Sequence, residues 1–334
     1  MRARRPVGCR LVTPFSIRVT APEWRAEAET WIADRLAAAN VAVTGAIEQR
    51  RVRPWSTQLV VPTDAGTVWF KANCWAQAFE PALQALLARL APDEVDEPLA
   101  VDMERGWMLT RDRGATLGDS REPGLSEWQH VLREAASLQR LVAPDARDVL
   151  AAGVPDCSPA TVPARFDLML ERLRDRPDDD SAHLTADVVE RLESAGPSVH
   201  DAARVLADGP LPVTLQHGDL HPWNVFDVDG RLRIFDFGDA QWAHPLESLP
   251  LPWAVTKDDA SLPWQELLAA YREPWSDLLT IDEVSELLTA AVVTQPVNRS
   301  FDWWEALAES TEEEWEEWGE APARHLAHVV EPWP

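Results

Sequence analysis

Residues 213–239 constrain this chain more than any other stretch. They read Val-Thr-Leu-Gln-His-Gly-Asp-Leu-His-Pro-Trp-Asn-Val-Phe-Asp-Val-Asp-Gly-Arg-Leu-Arg-Ile-Phe-Asp-Phe-Gly-Asp. Two short apolar runs, 224–226 and 232–235, flank a turn at 227–230, the pattern of a β-hairpin. Such a hairpin draws together what stands at its two ends: Asp219 and Asn224 before it, Asp236 after it. A carboxylate and an amide oxygen, Asp236 and Asn224, are hard ligands suited to Mg²⁺, which binds beside substrate phosphates. A separate carboxylate, Asp219, can orient and deprotonate a hydroxyl. Taken singly, Asp and Asn favour turns for reasons of their own. Three at this spacing, with His217 and Phe237-Gly238, point to a site.

The rest of the chain reads as a strand-rich first part and a longer helical second part. A helix is expected over 22–39, with Pro22 in its first turn and Trp24, Ala28, Trp31, Ile32 and Leu36 on one face. The runs 58–61 and 67–71, joined by an Asp/Gly turn, read as a hairpin. A helix around 80–90 carries Leu83, Leu86, Leu87 and Leu90, and 107–110 reads as a buried strand ending in the polar Arg111-Asp112-Arg113-Gly114. Beyond it come a helix at 126–142 with Ser126 as N-cap and Leu141 among its inward residues, a Pro/Asp-rich loop at 144–163, and a helix at 163–174. Pro177–Asp180 reads as a loop. A helix at 185–207 is expected to break at Gly196-Pro197, and everything from about 260 is helical and acidic. The 334 residues suit two lobes around a cleft. The expected fold class is α+β, with an N-terminal lobe over 1–110, a connection at 111–114 and a helical lobe over 115–334.

Charge narrows the partners. With 56 acidic against 31 basic residues the net charge is -25, which repels phosphate backbones and anionic lipid. Nucleic acid and membrane docking are therefore excluded as expectations, a cationic ligand is permitted, and no protein partner is indicated. Most of the acid reads as a solvated surface. Cys9, Cys74 and Cys157 are far apart and form no disulfide framework, which suits the cytoplasm. Arg2, Arg4 and Arg5 precede no apolar region that a signal peptide would need. Only two of the 31 basic residues are lysines, Lys71 and Lys257.

His217-Gly218-Asp219-Leu220-His221-Pro222-Trp223-Asn224 followed by Asp236-Phe237-Gly238 is similar to the H-R-D-L-x-x-x-N and D-F-G pair of protein kinases. Gly218 replaces the Arg that partners a phosphorylated activation loop, and no Ala-Pro-Glu follows, so a regulated protein kinase is disfavoured. The form His-Gly-Asp-Leu-His-Pro-x-Asn resembles the aminoglycoside phosphotransferase family, with support from Pro54–Thr57, Val68–Lys71 and the leucine-rich helix after Glu80. The resemblance implies a protein-kinase-like bilobal fold, ATP and Mg²⁺ as cofactors, and phosphoryl transfer to a hydroxyl of a small molecule. It makes Asp219 the catalytic base, Asn224 and Asp236 the metal ligands, Lys71 the phosphate lysine and His217 a scaffold for the loop. The connection at Arg111–Arg113 offers backbone groups to adenine. An aminoglycoside or other cationic antibiotic is the expected acceptor, with choline-, homoserine- or sugar-type metabolites as the alternative. A nucleotide-binding protein without catalysis ranks below both.

The chain departs from the family pattern in places. Glu80 stands only nine residues after Lys71, and Pro81 biases it away from helical geometry, so the pairing of Glu80 with Lys71 is in doubt. No glycine-rich phosphate loop is present. Arg53–Thr57 occupies its place, which puts Ser56 and Thr57 forward as phosphate contacts. Glu247 stands where the family often has Asp. His217, His221 and His244 match no zinc spacing. The acidic tail, from Asp302 to Glu320 with Trp303, Trp304, Trp315 and Trp318, reads first as helices with a Trp core and a solvated acidic face. A carboxylate-lined, Trp-walled acceptor site is the second reading.

Overall fold

A computed structural model describes residues 13–330. The expectations placed on Arg2, Arg4, Arg5 and Cys9 fall outside them.

The described chain opens with two helices, α1 (Phe15–Val19) and α2 (Pro22–Ala38), and then five strands interrupted by one helix. The strands are β1 (Glu48–Val52), β2 (Ser56–Thr63), β3 (Gly66–Asn73), β4 (Ala100–Asp102) and β5 (Trp107–Arg111). The helix α3 (Glu80–Leu90) lies between β3 and β4. The strands form one antiparallel sheet in the order β1-β2-β3-β5-β4. Side-chain alternation splits it into two faces. Leu59, Val61, Phe70, Ala72 and Leu109 are buried against Ala28, Trp31, Ile32 and Leu36 of α2. Phe70, Trp31 and Trp107 meet there edge to face, with ring centres 5.4–5.8 Å apart. The opposite face carries Gln58, Lys71, Met108 and Thr110 and is left to line a cleft. Strands β1 and β4 and helix α1 were not anticipated: β1 is nearly all polar, β4 is three residues long, and α1 is a single turn.

The second part is helical, as expected, so the architecture is α+β. It runs α4 (Leu117–Ser120), α5 (Leu125–Val142), α6 (Ala146–Ala151), α7 (Val162–Leu173) and α8 (Ala186–Asp208). Four short strands follow: β6 (Thr214–Gln216), β7 (Val225–Val228), β8 (Arg231–Ile234) and β9 (Gln241–Ala243). The chain closes with α9 (Pro250–Thr256), α10 (Trp264–Arg272), α11 (Ile281–Ala306), α12 (Glu312–Trp318) and α13 (Glu320–Ala327).

Several expectations need correction. The N-cap of α5 is Gly124, and Ser126 lies inside the helix with its hydroxyl on Glu127. Leu141 is exposed, while Trp128, Leu132, Ala135 and Leu138 are buried as expected. The loop at 144–163 contains α6. Most instructively, α8 runs unbroken through Gly196-Pro197. An internal proline costs about 3 kcal/mol, but Leu192, Val199 and Ala203 bury into one apolar cluster and Ala202 and Leu206 into another. Breaking the helix would expose one of the two sets, and burial of even two such side chains outweighs the proline. Helix α11 tolerates Pro296 in the same way and starts at a complete capping box of Thr280 and Glu283. Among the described residues no helix is long and apolar enough to cross a membrane.

Candidate active site

The site is assembled by two nested strand pairs. The outer pair is β6 with β9, in register at Gln216↔Gln241. It brings His217–Asp219, just after β6, against Phe237–Ala240, just before β9. Gly218 has φ +85°, and a Cβ there would fall 2.1 Å from the carbonyl oxygen of Asp239. No side chain fits that gap, which accounts for glycine where protein kinases carry arginine. The inner pair is the expected hairpin, β7 with β8, closed by Asp229 (φ 55°) and Gly230 (φ 80°). Two successive positive φ values make the two-residue type I′ turn that matches strand twist. The hairpin sets Asn224 beside Phe235, whose N–H donates to the Asn224 carbonyl at 3.1 Å.

His217 fixes the loop. Its Nε2 lies 2.9 Å from the Phe235 carbonyl, and the Asp219 N–H donates to its Nδ1 at 3.3 Å. These partners demand a neutral ring with the proton on Nε2, and burial holds its pKa below the ordinary value. The sequence-predicted scaffold residue therefore ties both sides of the loop together.

Asp219 lies next to Asn224, which donates from Nδ2 to the Asp219 carbonyl at 2.8 Å and to Oδ2 at 3.1 Å. His221 Nε2 is 3.3 Å from the same Oδ2. Burial alone would raise the Asp219 pKa. The His221 hydrogen bond and the charge of Arg299 override it and hold the carboxyl well below the ordinary range. Asp219 is therefore ionised, with Oδ2 engaged and Oδ1 left for a further partner.

Asp236 adopts the left-handed conformation, φ 64° and ψ 60°, which a non-glycine residue holds only at a cost of about 1–3 kcal/mol. Lys71 of β3 compensates: its Nζ is 2.5 Å from Asp236 Oδ1 and 2.6 Å from Glu80 Oε2. Glu80 is the first residue of α3 and is fully buried, and Asn73 Nδ2 donates to it at 2.7 Å. The doubted Lys71–Glu80 pair is therefore formed. Proline suits the first turn of a helix, so Pro81 starts α3 rather than displacing Glu80. Burial disfavours charge on Lys71, but Asp236 and Glu80 outweigh it and raise its pKa.

Two clefts flank these groups. The larger, about 420 Å³, lies between the free face of the sheet and the β7–β8 hairpin, lined by Trp69, Met108, Thr110 and Phe226 among others. Arg111 and Arg113 border it, and Arg113 is held by Asp96 at 2.7 and 2.8 Å. The smaller, about 230 Å³, lies beside Asp219. Ser56 falls there, buried, rather than in the larger cleft.

Sequence reasoning missed part of the smaller cleft, Arg51, Gln77 and Arg299 above all. Its walls include Asp239, Arg299, Asp302, Trp55 and Trp303. Arg299 bridges Asp239 and Asp302, each at 2.8 Å, and Gln77 Nε2 donates to Asp239 at 2.6 Å. Trp55 packs edge-on against both Trp303 and Trp318, which stack on each other. The tail thus divides: Trp304 and Trp315 are core, as the first reading had it, while Asp302 and Trp303 reach the cleft, as the second had it. Position in the acidic Trp-rich tail was the available signal for Asp302 and Trp303. Nothing local marks Arg299. A further cavity of about 670 Å³ lies on the other side of Asp302 and holds none of the motif residues.

The donor set fits a hard cation. Asn224 commits its amide nitrogen to Asp219, and Asp236 commits Oδ1 to Lys71. That leaves an amide oxygen and a carboxylate oxygen, the ligand type Mg²⁺ takes. The three histidines do not form a metal site. His244 is buried and caps the turn at Pro245–Ser248, and no group of three or more His, Cys, Asp or Glu suited to a metal occurs among the described residues.

Similarity to known proteins agrees with this geometry. No curated protein sequence matches closely. Among solved structures, the chain is similar to a macrolide 2'-phosphotransferase type I (14% identity, 91% of this chain and 97% of that one, TM-score 0.60). It is similar to an ethanolamine kinase of Plasmodium vivax (10%, 92% and 89%, TM-score 0.62) and to a choline kinase of Streptococcus pneumoniae (14%, 90% and 99%, TM-score 0.54). At these identities the likeness carries the fold, which is protein-kinase-like. Residues 70–278, more than half of the chain, match the phosphotransferase enzyme family APH. On that match, around a lysine, two aspartates and an asparagine gathered at one cleft, the chain belongs to the APH phosphotransferase enzyme family.

Proposed function

We propose that this enzyme transfers the γ-phosphoryl group of ATP to a hydroxyl of a small molecule held beside Asp219. One observation carries the reading: Lys71 joins Glu80 and Asp236 while Asn224 joins Asp219, so phosphate, metal and base positions meet between two clefts. ATP occupies the larger cleft, its adenine near the chain at 111–114, which we read as the hinge between lobes at 1–110 and 115–334. Lys71 contacts its phosphates. Asn224 Oδ1 and Asp236 Oδ2 would hold Mg²⁺, which would neutralise phosphate charge when bound.

The acceptor occupies the smaller cleft with its hydroxyl toward Asp219. Its oxygen forms a bond to the γ-phosphorus as the bond from that phosphorus to ADP breaks. The hydroxyl proton passes to Asp219, and ADP leaves with the bonding pair. A carboxylate held this far below its ordinary pKa is a weak base, so it orients the hydroxyl and takes the proton late, which a loose phosphoryl transition state permits. Positioning and charge neutralisation supply most of the rate.

The cleft beside Asp219 is mixed rather than purely acidic: Asp219, Asp236, Asp239 and Asp302 against Arg51, Lys71 and Arg299. With about 230 Å³ it suits an acceptor smaller than the usual drug-sized ligand. The reading favoured is therefore a small hydroxylated metabolite, such as an amino alcohol whose ammonium lies among Asp239, Asp302 and the Trp55–Trp303 wall. A multi-ring antibiotic is the second choice. An ATP-consumption screen over amino alcohols, sugars and aminoglycosides identifies the acceptor. With that acceptor, Asp219→Asn is expected to lose at least 1,000-fold in turnover and to bind ATP within threefold of wild type. Wild-type turnover by Asp219→Asn refutes the assignment.

A further inference from the structure

The family pattern leaves one position unfilled. No glycine-rich loop covers the phosphates, and the segment in its place, Arg53-Pro54-Trp55, is a tight connection between β1 and β2. Three residues line both the larger and the smaller cleft: Lys71, Asp236 and Arg51. The junction of the two clefts is where a transferring phosphoryl group must sit. Lys71 and Asp236 already have roles there, and Arg51 has none.

Its placement is built into the sheet. Glu48 and Gln49 of β1 pair with Val60 and Leu59, but the register then slips by one residue, so that Arg51 faces Gln58 and Val52 faces Thr57. This is a β-bulge, with Arg50 as the extra residue. Without the slip Arg51 would stand opposite Thr57, on the face turned away from the cleft. With it, Arg51, Gln58, Lys71 and Met108 form one row across four strands on the cleft face. The bulge is pinned: Thr57 Oγ1 donates to the Arg51 carbonyl at 2.8 Å and accepts from Gln49 Nε2 at 2.8 Å. Arg50, turned outward, pairs with Glu48 at 2.8 Å.

Arg51 makes no ion pair among the described residues, although its charge acts at longer range to help keep Asp236 ionised. Lys71 is matched by two carboxylates and Arg299 by two more. Among the described residues the Arg51 side chain has Ser56 Oγ at 3.5 Å from Nη2, and its Nε is buried with no partner. A half-buried guanidinium with no carboxylate in direct contact, in a chain so rich in carboxylates, is a site with room for an anion.

Resting on the proposed phosphotransfer, we infer that Arg51 is a catalytic residue that grips the γ-phosphoryl group at the junction of the two clefts, in place of the missing glycine-rich loop. Its planar fork presents two parallel donors to phosphoryl oxygens, which neither Lys71 nor a serine hydroxyl can do. The contact strengthens as charge builds on those oxygens during transfer.

Direct binding measurements with Mg-ADP and with the Mg complex of the non-hydrolysable β,γ-imido analogue of ATP, read by calorimetry, test this on the full chain. Arg51→Gln is expected to weaken the triphosphate analogue about 10- to 100-fold, the worth of a charged bidentate contact, and ADP by less than threefold. Arg51→Lys, which keeps the charge and loses the fork, falls between the two and covers a failure of the glutamine variant to fold. Equal weakening of both nucleotides, or of neither, overturns the inference while leaving the proposed function standing. Failure of the wild-type chain to bind either nucleotide removes the proposed function, and this inference with it.

Discussion

Glu247 offers a test of how α11 is fastened to the segment that carries Asp219 and Asp236. It lies in the turn after β9 and is fully enclosed. Thr294 Oγ1 donates to its Oε1 at 2.7 Å and Asn298 Nδ2 to its Oε2 at 2.9 Å, both from α11, the helix that supplies Arg299 and Asp302. Burial pushes its pKa up from 4.5 to about 7, and the two hydrogen bonds only partly offset this. A folded-state pKa above the unfolded one means that the folded chain holds a proton the unfolded chain releases. Stability from this group is therefore complete below pH 4.5, declines as pH rises toward 7, and is flat beyond. Two and a half pH units at about 1.4 kcal/mol each give a loss of about 3 kcal/mol. Glu247→Gln keeps the shape and removes the ionisation. Its amide nitrogen can donate to Thr294 Oγ1, whose proton has the Ala291 carbonyl at 3.4 Å as an alternative acceptor, and its amide oxygen can accept from Asn298. The variant should match wild type near pH 5 and exceed it by about 2–3 kcal/mol at pH 8, the lower figure allowing for imperfect repacking. Urea unfolding followed by tryptophan fluorescence at both pH values measures this, with midpoints compared at equal slope. A variant-minus-wild-type gap that is the same at pH 5 and pH 8 refutes the reasoning.

Two other substitutions probe the site itself. Gly218→Ala places a methyl group 2.1 Å from the Asp239 carbonyl oxygen at a positive φ, so the loop must shift. We expect a stability loss of about 2–4 kcal/mol, larger than the usual surface change, and a fall in turnover beyond what the unfolded fraction explains, seen by comparing melting temperature with specific activity. Glu80→Gln removes one of the two carboxylates holding Lys71, whose Nζ should then settle on Asp236 alone. ADP affinity is expected to drop about 10-fold, the worth of one charged hydrogen bond, and an unchanged dissociation constant would show that Asp236 orients the lysine by itself.

What the sequence revealed follows chain distance. Asp219, Asn224 and Asp236 fall within one short hairpin unit, and a two-residue turn with positive φ at Asp229 and Gly230 fixes their approach locally. Lys71 and Glu80 are legible because a strand and the first turn of the next helix carry them. The break assigned to Gly196-Pro197 failed for the opposite reason: local propensity was overruled by burial on both sides of α8. Arg299 is beyond local reading altogether, and Asp302 is marked only by its place in the acidic Trp-rich tail. They reach Asp239 only because α11 packs back across the catalytic segment, through Glu247, Thr294 and Asn298.

Arg51 is the sharper case, since its local signal exists and misleads. Simple alternation along β1 would turn Arg51 away from the cleft and leave Arg50 facing it. The bulge reverses the two, and its cause lies in Thr57 and Gln49 rather than in the arginines. The chain's preference for arginine over lysine gains a physical sense from this row of residues. Where a buried and a half-buried carboxylate must be bridged within 2.6 Å by one compact cation, the chain keeps a lysine, Lys71. Two strands away, where a half-exposed cation must reach over an open cleft toward a group with several oxygens, it places a planar fork. The two cations are therefore not redundant: Lys71 is locked before any ligand arrives, and Arg51 is free to close on one.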